Sequence, residues 1–205
     1  MPLPFPVARQ HLHSRRINLA GYYRDDGLWD IEAHIVDSKT YSYQNRLRGT
    51  VAAGQPVHDM SLRLTLDRHL VIRDVAVGMD AQPYATCSEV LPNFRRLIGL
   101  QIGKGWSRKV RAAVGGVEGC THIMELLHPI ATVTFQTMAS DYAQQLMGDV
   151  APASGEAPEQ QADSIPFMLD GCYSWARSGA VVKEEYPQYY QPETAILVTD
   201  RDRKD

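Results

Sequence analysis

No apolar run in this chain approaches the ~20 residues that a membrane-spanning helix needs, so no membrane partner is expected. An excess of one charge sign is also missing. Lys and Arg number 21 against 24 Asp and Glu, for a net charge of -3, and no Lys/Arg run breaks the mixed surface. That leaves no electrostatic footprint for nucleic acid. Only three cysteines occur, widely spaced, which argues for free thiols or metal ligands and against a disulfide frame. The opening MPLPFPVARQHLHSRR carries prolines where a secretion signal has a helical apolar core, so a cytoplasmic location is expected. There is no Walker loop, no Gly-x-Gly-x-x-Gly after a strand, no Gly-x-Ser-x-Gly elbow, no His-Glu-x-x-His and no internal repeat. Gly103-Lys104-Gly105 is too short for a phosphate loop and reads as a turn between helices.

What is present is a 205-residue chain with 44% hydrophobic content, enough for one sizeable core. Residues 1–14 are Pro-rich and read as an extended arm. Residues 15–148 form the expected core domain, 149–164 (DVAPASGEAPEQQADS) a linker, and 165–205 a C-terminal segment packing back on the core, with a strand-like run at Ala180 to Val182.

Within the core, Arg15 to Tyr23 predicts a first strand, followed by a turn at Arg24-Asp25-Asp26-Gly27. From Leu28 to Asp37 the chain alternates, with Trp29, Ile31, Ala33 and Ile35 on one side and Asp30, Glu32 and His34 on the other, which sets His34 toward water. Residues 38–56 are polar and read as a long loop or an irregular edge strand. Met60, Leu62, Leu64 and Leu66 then alternate with polar residues before a Val/Ile-rich return from Leu70 to Met79. A two-residue turn at Arg68-His69 would pair His58 with Met79, Met60 with Val77 and Leu62 with Val75 on the apolar face, and Arg63 with Asp74 on the other. In that register Asp74 is half of an exposed ion pair and His58 faces the core.

Helical periodicity follows. Ser88 or Glu89 opens a helix that must accommodate Pro92, Trp106 to Val114 forms a short basic amphipathic helix, and Ile123 to Met147 carries the main core stripe with Pro129 inside it. Strands followed by helices predict an α+β fold, an antiparallel sheet from the N-terminal half with helices packed on one face.

Chemistry concentrates at Gly115-Gly116-Val117-Glu118-Gly119-Cys120-Thr121-His122, where a glycine loop meets the long helix. A thiol beside an imidazole at a helix N-terminus is a setting in which a nucleophile is activated. The partial positive charge of the helix end disfavours imidazolium, so His122 is expected to stay neutral near pH 7. Candidate catalytic residues are His58, Asp59, Tyr84, Cys120 and His122, and candidate substrate-binding positions are Cys87, Trp106, Gly119 and Thr121. The competing use of the same inventory is a zinc or iron-sulfur site of Cys87, Cys120, His122 and Cys172, although the chain has no Cys-x-x-Cys knuckle.

The segments His58-Asp59-Met60, Pro83-Tyr84 with Cys87, Gly119 to His122, and Cys172 resemble the pattern of a bacterial family catalogued as a domain of unknown function. The resemblance spans most of residues 15–190. It implies a place in bacterial catabolism, including that of aromatic compounds. On that footing the expected function is a cofactor-independent lyase that breaks a C-C bond in an aromatic, lignin-type small molecule by acid/base chemistry. His58 or His122 would be the base, Tyr84 the acid or phenol binder, and Cys120 a shaper of the pocket. The alternative is a metal- or cluster-binding accessory protein. A small molecule is the expected partner, with self-association left open.

Overall fold

The computed structural model describes residues 3–138 and 169–192. Contacts divide the chain into two units, Met1–Ala151 and Pro152–Asp205, and each is described by itself. The linker expected over 149–164 lies outside the described residues.

The first unit is built on a four-stranded antiparallel sheet in the order β1 (His13–Tyr23), β2 (Trp29–Lys39), β5 (Pro56–Leu66), β6 (Ile72–Ala81), with β3 (Tyr43–Asn45) and β4 (Gly49–Val51) forming a separate hairpin inside the 38–56 stretch. The β1–β2 turn falls at Arg24 to Gly27. Gly27 has a φ of 80° and donates to the Arg24 carbonyl, and Arg24 N–H donates to the Leu28 carbonyl at 2.9 Å. That closure pairs Tyr23 with Trp29 and, eight residues out, Arg15 with Asp37.

Alternation sets the two faces as the sequence predicts. Trp29, Ile31, Ala33 and Ile35 of β2 and Met60, Leu62, Leu64 and Leu66 of β5 are buried on one face. The register between β5 and β6 differs from expectation by two residues: Met60 pairs with Met79, Leu62 with Val77, and Thr65 with Asp74. The turn is longer than Arg68-His69, because the Asp67 carboxylate accepts the N–H groups of His69 and Val71 and Leu70 takes a φ of 63°. A slip of two preserves the faces, which is why the apolar side stays intact while Arg63 loses Asp74 as its partner. Arg63 instead lies 3.8 Å from Glu32 and 4.0 Å from Asp30, both on β2.

Three helical segments cover the apolar face. Ala85–Leu97 is a 3-10 helix with Pro92 inside it. Three residues per turn stack Leu91, Phe94 and Leu97 on one line, and the last two are fully buried. Helix α1 (Trp106–Val114) buries Trp106, Val110 and Val114, and the Trp106 indole N–H donates to the Leu127 carbonyl at 2.8 Å. Helix α2 (Thr121–Met138) continues through Pro129 and buries Ile123, Leu126, Leu127, Ile130 and Met138. Its far end crosses β1 closely enough that a Cβ on Gly21 would lie 2.1 Å from Thr137 Oγ1. The fold is therefore α+β, with an antiparallel sheet and helices packed against it. No helix among the described residues is long and apolar enough to cross a membrane.

In the second unit, the run expected as a strand is the first turn of helix α3 (Ala180–Glu185). Gly179 stands at its N-cap and Lys183-Glu184-Glu185, all good helix formers, carry it on. Arg177 donates to Asp170, and Trp175 packs at 5.3 Å against Tyr186.

Candidate functional site

Three strands that are apolar along the helix-covered face turn polar at one end of it. On β2 the buried series Trp29, Ile31, Ala33, Ile35 continues in the same parity to Asp37 and Lys39. On β5 the series runs back from Met60 to His58, and on β1 the same face ends in Arg15 and His13. The register places Arg15, Asp37 and His58 in one row across the three strands. Just beyond it, Ser38 pairs with Pro56, so Val57 is an extra residue in β5. This bulge turns Val57 and His58 toward the same cavity, where strict alternation would separate them.

Asp37 is the centre of the cluster and only 1% exposed. Arg15 Nε and Nη2 donate to its two oxygens, both at 2.8 Å, His58 Nδ1 lies 2.9 Å from Oδ2, and His13 Nε2 lies 3.3 Å from Oδ1. Burial alone would raise the pKa of this carboxyl. The hydrogen bonds from Arg15 and His58 outweigh it and lower the pKa to about 2. An ionised carboxylate only accepts, so His58 Nδ1 is the donor and the lone pair of that ring sits on Nε2. Arg15 also bonds Glu125 of α2, which ties β1 to the helix beside the site.

His122, in the first turn of α2, brings the second ring. The His58 and His122 imidazoles stack with centroids 3.7 Å apart, and His122 Nε2 lies 3.9 Å from Asp37 Oδ2. The His122 pKa is lowered, first by burial, then by His58 when that ring is protonated, and then by the charge of Arg15. The direction matches the sequence expectation, while the principal cause is the packing of the ring and not the helix end. Cys120 Sγ stands 3.8 Å from His122 Nδ1. Leu12, Lys39, Tyr41 and Val57 join His13, Arg15, Asp37, His58 and His122 around a cavity of about 410 Å³.

The other expected site residues lie apart from this cavity lining. Asp59 points to the opposite face of the sheet, where it accepts from His34 Nε2 at 2.5 Å. Tyr84 is 65% exposed at the entrance to the 3-10 helix. Trp106 is a core residue held by Leu127. Gly119 allows a tight approach, since a Cβ there would lie 1.8 Å from the Val114 carbonyl oxygen, and Thr121 is the exposed first residue of α2. Among the described residues, the one group of three metal-ligating side chains is Asp37, His58 and His122, with their ligand atoms within 4.8 Å of one another. Cys87 and Cys172 are not in that group.

Asp37, Arg15, His13, Lys39 and Tyr41 were not singled out from the sequence. The signal for Asp37 and Lys39 was there, as polar residues continuing the buried parity of β2. A larger concavity of about 540 Å³ on the open sheet face includes His34, Glu32, Ser61 and Arg63. Its charged groups are paired with one another across the strands, so the smaller cavity carries the more directed chemistry.

The model of a protein family of unknown function, DUF2889, matches residues 13–136, more than half of the chain. The chain belongs to the DUF2889 family. The matched span runs from His13 through Arg15, Asp37 and His58 to His122, so the DUF2889 domain contains these polar groups of the cavity. No curated protein and no solved structure matches the chain.

Proposed function

We propose that this DUF2889 protein is a small-molecule enzyme in which His58, oriented by Asp37, acts as the general base, and that its reaction is cofactor-independent C-C bond cleavage in an aromatic compound. The observation that carries the reading is the Asp37–His58 pair: a buried ionised carboxylate pins one imidazole tautomer and leaves Nε2 able to take a proton beside a cavity. Arg15 keeps the carboxylate charged, and His122 packs on the imidazole face and limits its rotation. Of the two histidines considered from the sequence, His58 is favoured because its second nitrogen is fixed by a carboxylate, whereas His122 Nδ1 faces only the Cys120 thiol.

The step is balanced without an oxidant. Nε2 removes the proton of a substrate hydroxyl, the oxygen electrons form an aldehyde C=O, and the adjacent C-C bond breaks. Its electron pair passes into a conjugated ring system of the substrate, and the proton returns from His58 to the carbon that held the bond. The test is a panel of phenolic compounds bearing hydroxymethyl side chains, with released aldehyde as the readout. His58→Gln should lose on the order of 100-fold or more in turnover with its fold intact. Full turnover by that variant would overturn the assignment.

A second reading rests on the convergence of Asp37, His58 and His122, which is a donor set suited to a divalent transition ion. Against it, the Arg15 fork and His58 already occupy both Asp37 oxygens. Stoichiometric zinc in the purified protein, lost in His122→Ala, would favour this reading over the acid/base one.

A further inference from the structure

Among the described residues, Asp37 is the one carboxylate in the cavity wall, and Arg15, His58 and His13 surround its oxygens. Its charge is spent inside the cluster. The second cation of the wall, Lys39, is in a different position. It follows Asp37 in the same parity on β2 and is held without an acid: Nζ donates to the Tyr41 hydroxyl at 3.1 Å and stands 5.1 and 5.0 Å from the ring centroids of Tyr41 and Tyr43. Among the described residues no carboxylate forms an ion pair with it. The Tyr41 hydroxyl and the Tyr43 ring hold an ammonium in place without neutralising it, so the cavity mouth keeps a fixed positive charge. Leu12 and Val57 supply apolar wall, and Tyr41 adds an aromatic ring. A positive charge at the rim, aliphatic and aromatic walls, and an oriented base further in form a graded site with three different demands on its occupant.

Building on the acid/base reading, we propose that the cavity selects a single-ring aromatic substrate bearing an anionic group, a carboxylate or a phenolate, which pairs with Lys39 while the ring lies along Tyr41, Leu12 and Val57. Lys39 is then the specificity residue, and anchoring the charge at the rim directs the rest of the molecule toward His58.

The inference is tested by binding alone, with benzoate, 4-nitrophenolate, benzyl alcohol and cyclohexanecarboxylate as probes, by calorimetry at a pH where all three acids are ionised. The wild-type protein should bind benzoate or 4-nitrophenolate at least about 10-fold more tightly than benzyl alcohol, and the stronger of the two identifies the anion. It should also bind benzoate more tightly than cyclohexanecarboxylate, which has the charge without the ring. Lys39→Met, checked by melting, should remove the preference for anions while retaining benzyl alcohol. Equal affinity of the wild type for benzoate and benzyl alcohol, or a preference that survives in Lys39→Met, overturns the inference. Anion binding through Lys39 in a protein that turns over none of the phenolic panel would sustain this inference and sink the acid/base reading instead.

Discussion

Replacing Asp37 by Asn is the perturbation whose size follows most directly from the structure. Lowering the carboxyl pKa from 3.8 to about 2 corresponds to about 2 kcal/mol of stability at neutral pH. The group is depressed in the folded state, so this contribution is complete above the unfolded value and disappears as pH falls from about 4 through about 2. The Asn side chain also turns one acceptor into a donor, in a ring of donors from Arg15, His58 and His13. Leaving the Arg15 fork with one acceptor in place of two, and with no charge at this position, raises the total cost to roughly 2 to 4 kcal/mol, or about 5 to 15 °C in melting temperature for a unit of this size. Urea unfolding followed by circular dichroism at a series of pH values gives the assay. The variant should be less stable by that amount at pH 7, and the gap should narrow between about pH 4 and about pH 2, as first the unfolded chain and then the folded carboxyl take up the proton. A gap that stays constant down to pH 2.5, or a variant as stable as wild type at pH 7, would refute the placement of an ionised Asp37 under Arg15.

The histidine stack has its own sign. The His122 pKa is lowered in the fold, so the unfolded chain binds the proton more readily and stability declines as pH drops below about 6.5. By proton NMR, His122 should titrate below that value, and His58→Gln should move it upward by removing a neighbour that gains positive charge when protonated; a His122 that titrates at or above 6.5 in the wild type would contradict its burial. Gly21→Ala forces a Cβ to within 2.1 Å of Thr137 Oγ1, so it should destabilise by more than ~1 kcal/mol in chemical denaturation, and a neutral result would mean that α2 does not lie on β1 there. Trp106→Phe should cost on the order of 1 kcal/mol for the lost hydrogen bond to Leu127 while leaving benzoate binding unchanged, and a selective loss of binding would return Trp106 to the site. Asp74→Ala should be nearly neutral, since Asp74 is exposed and sits opposite Thr65.

Strand parity was legible because a half-buried sheet writes it every second residue, and it placed His58 on the covered face correctly. Turn chemistry was only partly legible. The Arg24–Gly27 turn is enough to set Arg15 opposite Asp37, but the Asp67 carboxylate lengthens the next turn through its own hydrogen bonds and shifts the register by two. The meeting of His122 with His58 could not be read locally, because nothing in the periodicity of α2 says which end of the sheet its first turn lies over. The bulge at Val57 was hidden for a similar reason, since an unpaired residue shows only once the partner strand is in place. Asp59 and Tyr84 stood out as polar residues in suggestive company, yet alternation sends Asp59 to the other face and Tyr84 stays at the surface.

Helix α2 joins two places that are distant along β1. Its first turn carries His122 over the Asp37 cluster, and its last lies against Gly21 near the opposite end of the same strand. The fifteen steps from His122 to Thr137 span roughly 22 Å at 1.5 Å per residue. The glycine at the far end thus works as a seat that gauges how deep the helix rests. A bulkier residue there would push against the last turn of the helix, so the bare backbone of one residue sets how closely α2 rests on β1.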